Sequence, residues 1–144
     1  MKIMTTRFGE VDIDDESIIN FVDPIIGYEE FRSFTLIEQN NSEYFKWLQS
    51  IENPELAFPT TNPVFFGIDY TFEIANEIAQ KINLTDGNSA VILNIVTIPN
   101  NNPNGSTVNL LAPIVVNSEN NQAMQIILSD SGYPIRQPLF KTKV

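Results

Sequence analysis

The sequence predicts a mainly β protein, a small antiparallel β-barrel-like single domain over residues 1–144 with one short helix. Three observations lead there. Short segments rich in aromatic and β-branched residues recur along the chain, separated by Gly, Pro, Asn and Asp clusters. One stretch, Asn76–Ile82, has apolar residues at helical spacing. Most connections are too short to hold a crossover helix, which favours antiparallel order. A chain of 144 residues with 42% hydrophobic content suits one domain and one core without staples.

Taken in order, Lys2–Phe8 reads as a first strand, Gly9 as its turn, and Glu10–Ile13 as a short return strand with Val11 and Ile13 inward. Asp14-Asp15-Glu16-Ser17 is a second turn, and Ile18–Phe21 tucks under the sheet. Asp23-Pro24 breaks that run, and Gly27–Phe31 is a loop or a single helical turn. Ser33–Glu38 is another strand, followed by a loop at Asn40-Asn41-Ser42. Tyr44–Pro63 organises the rest. It reads as a hairpin of Tyr44–Ile51 and Glu55–Thr61 around Glu52-Asn53-Pro54, because Asn-Pro favours turn initiation. Alternation sends Phe45 and Trp47 one way and Lys46 and Leu48 the other, and Trp47 is expected to carry core burial. Pro59 lacks an N–H, so this arm is an edge or bulged strand there. Val64–Phe72 has four aromatics and is either a strand or a loop capping one barrel end. Ile74, Ile78 and Ile82 recur every four residues, which gives the helix its apolar stripe. Ser89–Ile98 is apolar on both parities and is read as a central strand. Beyond the polar loop Pro99–Gly105, Ser106–Asn117 returns antiparallel with a bulge at Pro113. Gln122–Leu128 then alternates Met124, Ile126 and Leu128 inward. Ser131–Phe140 is irregular, and the tail Lys141–Val144 is expected to fray.

Composition removes several chemistries. The chain has neither histidine nor cysteine, so no Ser-His-Asp triad, thiol nucleophile, or His or Cys metal site can form. No Walker loop or GxGxxG occurs. Asp12-x-Asp14-Asp15-Glu16 is the one carboxylate cluster, but Ser17 stands where a calcium loop needs glycine, so it reads as a solvated turn. No catalytic residue, metal site or cofactor is assigned. Arg136, between Pro134 and Pro138, is expected to pair with an acid on the body. The N-terminus has no signal-peptide pattern, and the longest apolar runs are far shorter than a membrane span.

The net charge is −10, which disfavours direct nucleic-acid binding. The acid is concentrated early: residues 1–31 carry eight acids against Lys2 and Arg7, a balance of −6. Such a face either keeps the protein soluble or attracts a basic protein and speeds its encounter.

Blocks along nearly the whole chain resemble the flagellar assembly factor FliW family. They are Thr6-x-Phe8-Gly9-x-Val11, Phe34-x-Leu36, and Phe45-x-Trp47-Leu48-Gln49-Ser50-x-x-Asn53-Pro54-x-Leu56-Ala57-Phe58. Ile95–Pro99, Val108–Asn117, Gln125-x-Ile127-Leu128 and Tyr133-x-x-Arg136-x-Pro138-Leu139 follow. Two places depart from the family pattern. Val22–Tyr28 replaces a Pro-Glu-Gly-Leu-type loop before Gly-Phe, and Pro59 replaces an aliphatic residue. The resemblance implies a cytoplasmic, non-enzymatic regulator. It would bind flagellin before export and, when free, bind and antagonise the translational repressor CsrA, relieving repression of flagellin mRNA. A monomer without direct nucleic-acid or membrane contact is expected. Asp12, Asp14, Asp15, Glu16, Glu29 and Glu30 are then the candidate CsrA surface, by charge. Phe65, Phe66, Tyr70 and Phe72 are the candidate flagellin groove, since amphipathic helices dock on apolar surfaces. The rival classes are a small-molecule-binding barrel and an enzyme working with carboxylates alone.

Overall fold

The computed structural model describes residues 1–38 and 43–140; the expected loop at Asn40–Ser42 and the tail Lys141–Val144 lie outside them. Seven strands form a closed ring: β3 (Ile19–Phe21), β4 (Ser33–Ile37), β5 (Phe45–Ser50), β6 (Ala57–Thr61), β7 (Ala90–Thr97), β9 (Ile114–Asn117) and β10 (Gln122–Gln125). β7 pairs with both β6 and β9, and β10 closes the ring on β3. β1 (Lys2–Thr5) and β2 (Gly9–Asp12) form a separate hairpin. β8 (Thr107–Val108) joins the far end of β7 and pairs with β11 (Gln137–Pro138). The single α-helix among the described residues, α1, is Asn76–Lys81.

Alternation along the strands decides which side chains fill the barrel. Phe34, Leu48, Leu93, Ile114, Val116 and Ala123 meet Ile19 and Phe21 inside, with Phe58 of β6 packed against them, so every strand of the ring contributes. Phe34, Leu48 and Ile114 are fully buried. The lumen is therefore packed with side chains. The opposite faces of β7, β9 and β10 carry a second layer, in which Val115, Met124 and Ile126 pack beneath Ile74, Ile78 and Ile82 of the helical segment. A third cluster of Tyr70, Val96, Val108, Leu110 and Leu139 lies beneath the segment that follows β6.

Buried polar groups tie the loops to the barrel. The Asn117 Nδ2 donates to the carbonyls of Ile82 (3.0 Å) and Asn83 (3.1 Å), which fixes the end of the helical segment. The Gln49 Nε2 sits among the carbonyls of Ser50 (3.0 Å), Leu56 (3.2 Å) and Pro54 (3.3 Å), which holds the β5–β6 turn.

Several expectations need correction. The barrel is mainly antiparallel, but the β10–β3 pair is parallel, because the β9–β10 hairpin brings β10 beside β3 running in the same direction. Ile18–Phe21 supplies a strand of the barrel wall itself. The first strand stops at Thr5, whose hydroxyl accepts from the Phe8 N–H and donates to the Gly9 carbonyl, folding residues 6–8 into the turn. Ser106–Asn117 divides into β8 and β9, because the Asn109 Oδ1 accepts from the Leu111 and Ala112 amides and turns the chain between them. Met124 and Ile126 are buried, but beneath the helix rather than in the lumen. Trp47 also points out of the barrel. Leu48 takes the inner position, while Trp47 lies under the β1–β2 hairpin against the Phe8 edge, centroids 6.0 Å apart. Pro59 lies on a strand flanked by β5 and β7, yet β7 pairs only with Thr60 and Thr61, so β6 is an edge locally at the proline. Val64–Phe72 adopts the capping alternative: a 3-10 turn at Pro63–Phe66, capped by the Asn62 side chain and ended by Gly67 at φ 75°.

Candidate protein-interaction surfaces

Strand direction sorts the loops between two barrel ends. At the first end β3, β5, β7 and β10 begin and β4, β6 and β9 finish. The second end holds the loop after β3, the β5–β6 turn and the segment after β7.

The six acidic candidates divide between these ends. Asp15 and Glu16 form a 3-10 turn with Ser17 just before β3, at the first end. Asp14, Asp15 and Glu16 line one exposed concavity with Met1 and Ile13. Asp12 lies on β2, where it meets the terminal amine at 3.4 Å. Glu29 and Glu30 follow β3 and so leave the second end. The Glu29 Oε1 accepts from the Gly27 amide at 3.0 Å, and that hydrogen bond, with one from its own amide, holds its carboxyl below the usual range.

The four aromatic candidates also divide, by depth. Phe65 is 53% exposed. It meets Tyr44, also 53% exposed, at 5.8 Å between centroids. Phe66 is half-buried and links Tyr44, Phe45 and Phe140 at 5.6 to 5.9 Å. Beside these rings a groove of about 390 Å³ runs between β6 and β7, lined by Tyr44, Thr60, Phe65 and the exposed Val91. Tyr70 lies below, only 9% exposed. Its hydroxyl donates to the Leu110 carbonyl at 2.7 Å and accepts from the Asn94 amide at 3.2 Å. Burial pushes its ionisation up to about 12, against a smaller opposing effect from Asn94. Phe72 packs half-buried against Tyr70, centroids 5.4 Å apart. The exposed aromatic surface is thus Phe65 and Phe66 with Tyr44 and Phe140, and Tyr70 and Phe72 support it from beneath. Of the two added residues, Tyr44 was within reach of the hairpin register. Phe45 opposite Thr61 sets Tyr44 beside Asn62, where the capping turn begins.

At the second end a cavity of about 780 Å³ opens against the barrel wall, with Arg7, Tyr28, Trp47, Phe58, Ile98 and Arg136 in its lining. Arg136 is exposed, and the ion pairs among the described residues do not include it. The expected pairing with a body acid is not made among the described residues, and the cavity that Arg136 lines has no acidic residue in its lining.

The family described as FliW protein has a model that matches residues 2–139. The chain belongs to the FliW family. A flagellar assembly factor FliW from Bdellovibrio bacteriovorus is 39% identical over 140 residues, 97% of this chain and 79% of that protein. One from Pseudothermotoga lettingae is 42% identical over 134 residues, covering 93% and 85% respectively. A crystal structure of the flagellar assembly factor FliW superposes with a TM-score of 0.92 at 28% identity, covering all of both chains. Within the Phe45–Phe58 block, three adjacent residues do three separate jobs. Leu48 fills the lumen, Gln49 holds the turn, and Trp47 forms a wall of the second-end cavity. No helix among the described residues is long and apolar enough to cross a membrane.

Proposed function

We propose that this FliW-family chain is a non-enzymatic, partner-switching regulator in the cytoplasm. It binds flagellin before export and, when free, binds and antagonises CsrA. One observation carries the reading: an exposed aromatic groove and an exposed acidic turn leave the same barrel end. An amphipathic flagellin helix would lay its apolar face on Tyr44, Phe65 and Phe66. Asp14, Asp15 and Glu16 would steer a basic repressor to the same end. Two partners drawn to one end compete, so the amount of unexported flagellin sets the pool left for CsrA. Antagonism of RNA binding needs only unfavourable coupling on CsrA between its two ligands, and that coupling is reciprocal.

The test is calorimetric titration with flagellin and with CsrA from the same organism, separately and then in competition. Two isotherms that exclude one another support the switch. Binding of flagellin alone would leave an export chaperone without the regulatory arm. Binding of neither, with both partners folded, would refute the reading.

A further inference from the structure

Two cations stand apart from the others among the described residues. Lys2, Lys46 and Lys81 each meet a carboxylate. The Arg32 guanidinium donates to the carbonyls of Phe21 and Val22. Arg7 instead lies over Trp47, its Cζ 4.0 Å from the ring centroid, and Arg136 projects into solvent. Neither takes part in the ion pairs found among the described residues. Both line the cavity of about 780 Å³ at the second end, and none of the described residues lining it is acidic. On a chain of net charge −10, the sign of the surface is reversed at this cavity. The nearest acid in sequence, Glu29 beside Tyr28, is turned onto the Gly27 amide.

The walls of the cavity are strand edges. Ala57, Phe58 and Pro59 of β6 face it, as do Val96, Thr97 and Ile98 at the end of β7. The β6–β7 ladder contains only Thr60–Ile95 and Thr61–Asn94. The same register continued would oppose Pro59 to Val96, Phe58 to Thr97 and Ala57 to Ile98. Pro59 brings no N–H to that ladder, and the pairing ends there. The rim adds exposed aliphatic surface, with Ile98 45% and Ile135 58% exposed.

We propose that this cavity is a docking groove for an extended acidic segment of a protein partner. The carboxylates of that segment pair with Arg7 and Arg136, its backbone lies along the parted strands, and its aliphatic side chains cover Ile98 and Ile135. Charge complementarity selects the partner: guanidinium groups free of other carboxylates form bidentate pairs with incoming ones. Stacking on Trp47 holds Arg7 in place before the partner arrives, which lowers the ordering cost. Unpaired strand edges favour an extended backbone over a helix. A nucleic acid would supply anions too, but the rest of the chain repels a polyanion. This groove is independent of the first-end surfaces, and so is its test.

The probe is a fluorescein-labelled peptide of about ten residues alternating Val and Glu, compared by anisotropy with its Val and Lys counterpart on the full chain. The Glu peptide is expected to saturate the protein and the Lys peptide is not. Arg136→Gln and Arg7→Gln should each weaken binding, and the double variant should weaken it about tenfold. Amide NMR resonances of Ala57, Phe58 and Val96–Ile98 should shift on titration. Arg136 is exposed, so Arg136→Gln keeps the test valid even if the loss of Arg7 disturbs the hairpin. Failure of the Glu peptide to saturate, equal binding of both peptides, unchanged affinity in the folded double variant, or shifts confined to the first end would each overturn the proposal. Displacement by succinate at the same concentration as peptide would overturn it as well, since the site would then take a small anion only.

Discussion

Substituting Tyr70→Phe removes one oxygen from beneath the barrel cap and leaves the ring in place. In the native protein that hydroxyl donates to the Leu110 carbonyl at 2.7 Å and accepts from the Asn94 amide at 3.2 Å. Both Tyr70 and Leu110 are buried, so the variant leaves a carbonyl without its donor. Such a loss costs about 1–3 kcal/mol, and in a domain of this size each kcal/mol lowers Tm by roughly 3 °C. The same hydroxyl has a signature in pH. Burial raises its ionisation from 10.0 to about 12, so the folded state holds the phenolic proton more tightly than the unfolded chain. The stability from this group is complete below pH 10 and is lost as pH rises toward 12. Linkage makes that loss on the order of 1 kcal/mol by pH 11. Urea unfolding followed by circular dichroism at pH 8 and pH 11, on both proteins, isolates the effect, because every other group is common to the two. The variant should be the weaker protein at pH 8, with the gap narrowing by on the order of 1 kcal/mol at pH 11. Equal stability at pH 8, or a gap that does not change with pH, would refute the assignment of a buried, doubly bonded hydroxyl. Flagellin affinity should be unaltered, since the ring offers little surface to a partner.

The remaining expectations concern the core and the first barrel end. Leu48→Ala empties a fully buried lumen position and should cost about 2–5 kcal/mol in equilibrium unfolding; a cost under 1 kcal/mol would contradict a packed lumen. Phe65→Ala should weaken flagellin binding about tenfold in calorimetry while Tm moves by less than about 2 °C. Unchanged affinity would move flagellin to another surface. Reversing Asp14, Asp15 and Glu16 to Lys should slow CsrA association in stopped-flow measurements and flatten its dependence on salt.

What the sequence made legible follows from which signals are local. The helix was readable because the four-residue spacing of Ile74, Ile78 and Ile82 brackets it: Ile78 lies on α1, Ile82 caps its end, and both pack with Ile74 in one cluster. The Tyr44–Pro63 hairpin was readable because its turn residues and its alternation agree. Burial itself was also readable, but not the layer in which it occurs. Trp47 and Leu48 are both apolar, and alternation alone says only that they diverge. Leu48 enters the lumen because the ring closes on that side, a consequence of the β3–β10 and β7–β9 pairings made far along the chain. Met124 was misplaced for the same reason. The acidic residues looked like one patch because they are close in sequence. A single strand, β3, carries the chain from one barrel end to the other between Glu16 and Glu29 and divides them.

That division allows the steering idea to be separated from bulk charge. β3, the strand that divides the acidic residues, has three residues and spans about 10 Å at 3.3 Å per residue. The Debye length at physiological ionic strength is about 8 Å. Charges at the second end are thus screened from a partner arriving at the first. Glu29 is fully charged at neutral pH, its carboxyl being held below the usual range by the Gly27 amide. Reversing Glu29 and Glu30 to Lys therefore changes the net charge from −10 to −6 without touching the first end. If Asp14, Asp15 and Glu16 form the surface that steers CsrA, this variant should associate at close to the native rate at physiological salt, while the first-end reversal slows. Equal slowing in the two variants would mean that the overall charge of the molecule governs the encounter, and the acidic turn would lose its claim to be a recognition surface.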